Sequence, residues 1–436
     1  MRAMRRVPMV LLFLLVALPV TSAPQGAARG LAAKGIAGLW DAVVVADQTE
    51  IPFRFEIAQN GVQVQGFFFE GDRKIGATAG AFENGRLKLD YDFLNTTLEA
   101  TFDGGQLRGT YRTNGVNAPP LEIRGHRFVP VAASTAQTPQ IAGNWVMYRT
   151  APDGSKLDVS WRLYLRQSGS AVSGAILRTS GDTGALTGQW NGGTLVLSHF
   201  AGDRPLLLEA RLNADGTLGI TLDHRFTYRA ARTSEARAKG IPEPPDPSRF
   251  TSVTDPTAQF HFSGLALDGR KVSEADPQFR GKAVVLSIGG TWCPNCHDEV
   301  PFLVALYKQF HAQGLEVVGL NFELDPELAL ARPRVLAFIK RYAVEFPMLV
   351  SGTPDEVSSK LPQLVNFGIY PTTVFLGRDG RVRSVHVGFA SAATGEEHQR
   401  LEREERELVQ QLLAENPQGN SRKASAVRGR SENRDS

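Results

Sequence analysis

Lys282-Ala-Val-Val-Leu-Ser-Ile-Gly-Gly-Thr-Trp-Cys-Pro-Asn-Cys296 decides the fold of the C-terminal part of this chain. The apolar, β-branched run before Gly289 predicts a buried strand. Behind the cysteines, apolar residues recur at helical spacing, and the helix is expected to end at Gly314. Strand, short loop, Cys-x-x-Cys and helix is the context in which this cysteine spacing indicates thiol–disulfide redox chemistry.

The two cysteines are the only ones among 436 residues, and they are three positions apart. In the first turn of a helix, residues at this spacing share a face, so their sulfur atoms are close enough to bond. The unpaired N–H groups and the dipole of the helix N-terminus stabilise a thiolate on the first cysteine. We therefore expect a redox-active disulfide Cys293–Cys296, with Cys293 as the exposed nucleophile of low pKa and Cys296 as the more buried resolving thiol.

Two structural explanations of the cysteine pair are weaker. A stapling disulfide that closes so short a loop removes little entropy from the unfolded chain and stabilises almost nothing. A zinc half-site would need a second pair of ligands, but the chain has no other cysteine and its eight histidines are scattered without a ligand spacing. No metal site is predicted, and redox chemistry is the favoured interpretation.

The region before the cysteines contains an internal repeat. Ile36-Ala-Gly-Leu-Trp40 returns as Ile141-Ala-Gly-Asn-Trp145, and further matches follow at slightly larger offsets. Short runs that alternate apolar and polar residues, such as Phe53–Ile57 and Thr194–Leu197, are separated by Asn-Gly and Asp-Gly turns. This pattern predicts two antiparallel β units, similar at the level of fold to small lipocalin- or avidin-like barrels.

Four of the five tryptophans lie in the repeats, at Trp40, Trp145, Trp161 and Trp190. They could line a ligand cavity, or they could simply fill the interior of the barrels. The second interpretation is favoured, because a small barrel has an interior just wide enough for its own side chains. No titratable cluster recurs between the two copies, so we expect a binding or spacing module without catalysis.

The N-terminus has the layout of a secretory signal peptide. Basic residues precede a 14-residue apolar run over Val7–Val20, and small residues follow. This run is shorter than the roughly 20 residues of a membrane-spanning helix, although an uncleaved anchor stays open. We therefore expect a periplasmic or otherwise exported protein, in a compartment where disulfides persist.

The composition gives information on the class of protein, and the sequence patterns described above predict its domains. A net charge of +3 with 21% charged residues gives no indication of nucleic-acid binding. The fold class expected is multidomain, with two tandem antiparallel β units followed by an α/β domain. The predicted segments are a signal peptide (1–28), β repeat 1 (36–130), β repeat 2 (138–230), a proline-rich linker (231–259), the redox domain (260–415) and a disordered tail (416–436).

Residues 260–415 resemble the TlpA/ResA-like thioredoxin-fold thiol–disulfide oxidoreductases of bacterial envelopes. The resemblance covers residues 260–415, about a third of the chain, and its motifs follow one another in the order typical of that family. They are Leu267–Val272, Arg280–Val285, Gly290–Cys296, Glu299–Pro301, Leu315–Leu320, Phe346–Val350, Gly368–Phe375 and Arg378–Arg381.

The resemblance implies roles for individual residues. Pro371 matches the family's cis-proline, so that Tyr370 and Pro371 would receive an incoming peptide as an extra strand, with Trp292 and Pro294 beside it. Glu299 would exchange a proton with the resolving thiol, although a solvated helix glutamate is an equal alternative. Thioredoxin carries a buried Asp six residues before its first active-site cysteine. This chain has Ser287 there, so a helping carboxylate must come from elsewhere.

The function implied is exchange of protein disulfides, in the reducing direction usual for these relatives, with protein thiols or disulfides as partners. A membrane protein would donate the electrons, and no cofactor is implied. A thiol peroxidase is an alternative, but it needs a Thr three residues before its reactive cysteine, where this chain has Gly290. Copper delivery is another, with His386 as its candidate distal ligand. In the third alternative the β repeats carry the main function as a ligand-binding or scaffold protein.

Overall fold

The computed structural model describes residues 35–415 except 116, 131–137, 151–156 and 326. The signal peptide expected over 1–28 and the tail expected over 416–436 lie outside the described residues. From Ile36 onward the chain forms one compact unit. Its two barrels and its C-terminal domain belong to that unit and contact one another.

The first β repeat folds as a closed antiparallel barrel of eight strands. Its strands are β1 (Gly38–Ala46), β2 (Thr49–Asn60), β3 (Gln63–Glu70), β4 (Arg73–Gly76), β5 (Ala79–Glu83), β6 (Arg86–Tyr91), β7 (Thr96–Asp103), β8 (Gln106–Thr113) and β9 (Leu121–Arg127). The ring runs β2-β1-β9-β8-β7-β6-β5-β3 and closes through the pairing of β2 with β3, while β4 is a hairpin partner outside the ring. Burial alternates along β2, as a strand with one face on a core requires.

The second repeat has the same topology. Its strands are β10 (Gly143–Thr150), β11 (Leu157–Ser168), β12 (Ala171–Arg178), β13 (Gly181–Asp182), β14 (Leu186–Asn191), β15 (Thr194–His199), β16 (Leu206–Leu212), β17 (Leu218–Leu222) and β18 (Phe226–Arg232). The ring closes through β11 and β12, and β13 takes the place of β4. The predicted duplication and the predicted fold class are confirmed.

Equivalent tryptophans make the same contacts in the two barrels. The indole N–H of Trp40 donates to the carbonyl of Ile36, and that of Trp145 donates to the carbonyl of Ile141, at 3.0 and 2.9 Å. Both indoles are buried, and each has an arginine guanidinium 4.5 Å from its ring centre. These two tryptophans therefore fill the barrel cores, as the favoured interpretation of the sequence expected.

The C-terminal domain has the thioredoxin fold. Its strands and those of the preceding segment are β19 (Ser252–Val253), β20 (Ser263–Leu265), β21 (Lys271–Ser273), β22 (Ala283–Gly289), β23 (Leu315–Phe322), β24 (Met348–Gly352), β25 (Leu364–Val365), β26 (Thr372–Leu376) and β27 (Val382–Val387). The helices are α1 (Thr233–Ala238), α2 (Pro294–Phe310), α3 (Leu328–Tyr342), α4 (Val357–Lys360) and α5 (Glu396–Ala414). The main sheet has the order β21-β20-β24-β23-β22-β26-β27.

Strand β22 lies inside this sheet, parallel to β23 on one side and antiparallel to β26 on the other. All seven of its residues are buried, because helices cover both faces of the sheet. The strand therefore delivers the loop of the cysteines to one edge of the domain. Within the part of the chain that the structure describes, no helix is both long and apolar enough to cross a lipid bilayer.

The segment predicted as a linker, 231–259, contains two short elements. Helix α1 packs Ala236 against Val146 of the second barrel, and β19 pairs with β25 of the C-terminal domain. Both ends of this segment are therefore attached to the neighbouring domains. The domain boundaries proposed from the sequence stay predictions.

Candidate active site

The two cysteines form a disulfide at the start of α2, with their Cα atoms 5.3 Å apart. Cys293 is the N-cap of the helix, and its Sγ accepts a hydrogen bond of 3.3 Å from the backbone N–H of Cys296. The sulfur of the first cysteine thus faces the unpaired N–H groups of the helix, as the sequence predicted.

Cys293 and Cys296 are only 3% and 6% exposed, so the expectation that Cys293 is exposed is wrong for this disulfide form. Residues of both barrels cover the loop that carries the cysteines. The side-chain amide of Asn295 donates to the carbonyl of Ser180 in the second barrel, at 2.6 Å. The ring of Phe93 in the first barrel meets that of His297 at 6.3 Å.

The residues expected to receive a peptide gather beside the cysteines. The Tyr370–Pro371 peptide bond is cis, and the carbonyl of Pro371 accepts a hydrogen bond from Gly388 at 2.8 Å. The ring of Trp292 packs edge-on against that of Tyr370, with centroids 5.1 Å apart. Trp292, Pro294 and Tyr370 are half-buried, whereas Pro371 is fully buried.

Glu299 is buried below the cysteines, not solvated on the helix surface. Its Oε2 accepts a hydrogen bond of 2.6 Å from Ser287, and its Oε1 accepts one from Thr373. Burial raises the pKa of this carboxyl to about 7, while the two hydroxyl groups oppose that rise. The carboxyl therefore reaches the sheet at Ser287, the position where the resemblance left a carboxylate missing.

A second buried carboxyl, Glu405 on α5, was missed by the sequence analysis. Burial and the negative charge of Glu299 raise its pKa well above the ordinary range. Its Oε2 has no hydrogen-bond partner among the described residues. The helical stripe Leu401, Glu405, Val409 and Leu412 places it on the buried face, and this spacing was the signal that could have found it.

His297 is buried and electrically neutral in this environment. Its Nε2 lies 2.8 Å from the carbonyl oxygen of Thr291, which can only accept, so Nε2 carries the proton and Nδ1 accepts from Tyr342. Burial lowers the pKa of this imidazole. A role as an imidazolium beside the cysteines is therefore not favoured by the structure.

An arginine of the second barrel connects it to α2. Arg204 donates to Asn295 Oδ1 and to Asp298 Oδ2, each at 2.9 Å, and also to the carbonyl of Asp182. The Asp298 side chain is 5% exposed and that of Arg204 is 17% exposed. No sequence signal indicated this contact, because the partners are more than 90 residues apart. No group of three or more metal-ligating side chains comes together within the described parts of the chain.

Residues 253–385 match the family model described as the AhpC/TSA family. The thiol–disulfide oxidoreductase ResA of Halalkalibacterium halodurans is 30% identical over 28% of this chain and 64% of its own length. The ResA protein of Bacillus cereus is 29% identical over 29% of this chain and 66% of its own length. A thiol:disulfide interchange protein from Chlorobium tepidum is 25% identical, with a TM-score of 0.29, over 37% of this chain and 99% of its own.

These comparisons confirm the predicted resemblance for the C-terminal part. The chain spans just under two thirds of the length of the ResA proteins that it matches. The two barrels lie outside the residues matched by the family model.

Proposed function

We propose that this chain is an exported thiol–disulfide oxidoreductase that reduces protein disulfides through Trp292-Cys-Pro-Asn-Cys296. The observation that carries the proposal is the disulfide at the N-terminus of α2 beside the Tyr370–Pro371 segment. Similarity to ResA proteins supports the same chemistry. The proteins that supply and accept the electrons would be a membrane donor and exported polypeptides.

The reaction begins with the reduced form, in which Cys293 is a thiolate stabilised by the N–H groups of the helix. Its sulfur attacks one sulfur of a substrate disulfide, so that a mixed disulfide forms and one substrate thiolate leaves. Cys296, as a thiolate, then attacks Cys293 Sγ, which releases the second substrate thiolate and forms the intramolecular disulfide. Two electrons have passed to the substrate, and an external dithiol must return them.

Glu299 is proposed to take the proton of Cys296 as that thiol attacks. A carboxyl whose pKa is raised to about 7 is divided between its acid and base forms at neutral pH, and this suits a group that both accepts and donates a proton. Its contacts with Ser287 and Thr373 hold the carboxyl in place on the sheet. We therefore assign it a proton-transfer role and expect it to act in the resolving step.

The direct test is to trap the mixed disulfide with Cys296→Ser. The variant keeps the attacking sulfur and cannot resolve the adduct, so substrates should accumulate in disulfide linkage to Cys293. The matched control Cys293→Ser should trap nothing and should be inactive. Absence of any adduct, together with full activity of Cys293→Ser, would overturn the assignment of the two roles.

Thiol peroxidase activity is the second candidate, favoured by the match to the AhpC/TSA family model. Against it, Gly290 stands where a peroxidase would carry Thr, and Thr291 uses its hydroxyl and N–H on Glu323. Peroxide consumption by the reduced protein decides between them. A rate of peroxide loss that exceeds the rate of disulfide reduction would favour the peroxidase.

A further inference from the structure

A cavity of about 670 Å³ lies between the second barrel and the first turn of α2. Pro294 and Asn295 form its floor on the C-terminal domain, and Trp161, Arg178 and Tyr228 form its wall on the barrel. We call it the barrel–helix cavity. It begins one residue from Cys293, so a ligand held there would lie beside the reacting sulfur.

A turn of the second barrel that lines this cavity also packs on the sheet near the cysteines. The Thr179–Asp182 turn packs directly on Gly388, and a Cβ atom added to that glycine would lie 2.5 Å from the carbonyl oxygen of Thr179. Gly388 is hydrogen-bonded to Pro371, so this turn covers the sheet edge next to the cis-proline. Two cavities border Pro294, next to Cys293, and the barrel–helix cavity of about 670 Å³ is much larger than the other, of about 140 Å³. The barrel–helix cavity is therefore the roomier approach to Cys293 while the barrel is in place.

The wall of the cavity combines aromatic rings with a guanidinium group. The rings of Trp161 and Tyr228 are 5.3 Å apart, and the Arg178 guanidinium lies 4.7 Å from the Trp161 ring. The Nε of Arg178 is buried and has no hydrogen-bond partner among the described residues. A buried donor without a partner is costly, so a ligand that accepts from it would bind favourably.

The acidic side chains that line this cavity already have partners. The Asp182 carboxylate accepts from the N–H of Gly184 and from the N–H and hydroxyl of Ser391. The Asp223 carboxylate accepts from the N–H of Leu207 at 2.9 Å. Arg204 is paired with Asp298, which leaves Arg178 as the lining arginine whose buried Nε has no hydrogen-bond partner among the described residues. The recognition chemistry of the wall is therefore a carboxylate next to a bulky apolar group.

We propose that the barrel–helix cavity is the substrate-recognition site of the redox centre, and that it binds an acidic segment flanking the substrate cysteine. The carboxylate of that segment pairs with Arg178, and a neighbouring apolar side chain packs on Trp161 and Tyr228. This inference rests on the proposed oxidoreductase function. It assigns the second barrel a part in selecting substrates, whereas the sequence suggested only a binding or spacing module.

The experiment uses the full chain, reduced beforehand with dithiothreitol, and three disulfide probes. Two probes are peptides of equal length, each with one cysteine in the same mixed disulfide. In both peptides Leu flanks the cysteine on one side, and the other side carries Glu residues in one peptide and Lys residues in the other. The third probe is uncharged hydroxyethyl disulfide. The protein should reduce the acidic peptide about fivefold faster than the basic one, as one partly buried ion pair would give. This preference should shrink as salt is added.

Variants of Arg178 test whether the preference for the acidic peptide arises in the barrel–helix cavity. Arg178→Gln should remove the preference while leaving the rate with hydroxyethyl disulfide unchanged, and Arg178→Lys should restore part of it. Arg211→Gln, on an exposed position of β16 outside the cavity, is the matched control and should behave as the unaltered protein. Calorimetry should show the same order for binding of a cysteine-free acidic peptide to the oxidised protein. The unaltered protein and Arg211→Gln should bind it most tightly, Arg178→Lys less tightly and Arg178→Gln least.

The outcomes separate the two proposals. If all three disulfides are reduced but the two peptides react equally, or Arg178→Gln keeps the preference, the cavity is not the recognition site and the oxidoreductase function stands. If hydroxyethyl disulfide and both peptides are all left unreduced, the proposed function fails. The calorimetric measurement then decides whether the cavity still binds acidic peptides, and no binding would reject the site as well.

Discussion

Replacing Glu299 with Gln tests the buried carboxyl beneath the cysteines. Burial raises its pKa from 4.5 to about 7, which means that the folded protein favours the protonated form. Its contribution to stability is therefore complete below pH 4.5 and is lost as the pH rises through 7. That interval corresponds to about 3 kcal/mol, at roughly 1.36 kcal/mol for each pH unit.

The assay is urea unfolding of the oxidised protein, followed by tryptophan fluorescence between about pH 4 and pH 8. Glutamine keeps the size of the side chain and does not titrate. The free energy of unfolding of the unaltered protein, minus that of Glu299→Gln, should fall by about 3 kcal/mol across this range. The difference removes the effects of titrating groups that do not interact with Glu299, such as Asp182, whose pKa burial and Asp298 raise to about 6.

Glu407→Gln, on the exposed face of α5, is the matched control and should leave the pH dependence of stability unaltered. In rapid-mixing experiments the Glu299→Gln variant should also slow the resolving step by roughly 100-fold, because a positioned proton acceptor is lost. A difference in stability that stays constant with pH would refute the account of Glu299 as a buried, titrating group.

Three further substitutions test one contact between domains and the packing inside the two barrels. Arg204→Met removes the 2.9 Å ion pair of the buried Asp298 carboxylate and leaves it only Arg73, at 3.8 Å. The substitution should cost about 2 kcal/mol of stability in urea unfolding, below the roughly 3–5 kcal/mol for a buried ion with no partner, whereas Arg211→Met should cost little. Equal costs would show that the Arg204 ion pair does not hold the barrel to α2. Trp145→Ala and Trp40→Ala should each cost about 3–5 kcal/mol, because both indoles fill a barrel core. A clearly smaller loss for one of them in the same assay would contradict the equivalence of the two repeats.

Much of the architecture follows from local patterns. Alternation of apolar and polar residues, broken by Asn-Gly and Asp-Gly turns, is a local signal, and the matching positions of Trp40 and Trp145 extend it to a pair of like barrels. The strand before Gly289 and the helix after it are also fixed by their own residues. These signals sufficed for the fold class and for the pairing of Cys293 with Cys296.

The contacts between domains could not be predicted in the same way. Arg204 and Asp298, or Gly388 and the Thr179–Asp182 turn, are far apart in the chain and have no periodicity that links them. Their meeting depends on how folded domains dock, which local patterns do not encode. For the same reason the sequence predicted an exposed Cys293, whereas it is 3% exposed in a loop whose Asn295 and His297 contact the barrels. Glu405 is a different case, because its helical spacing with Leu401, Val409 and Leu412 is a local pattern that the sequence itself displays.

The reduction potential of the Cys293–Cys296 disulfide tests the central claim most directly. Equilibration with dithiol buffers of known potential, followed by counting free thiols, gives the midpoint and the number of electrons. A protein-disulfide reductase should titrate as a two-electron couple at or below about −200 mV, within the range of reducing thioredoxin-fold proteins. A midpoint near −120 mV, typical of a strong disulfide oxidant, or a pair that does not titrate, would contradict the account.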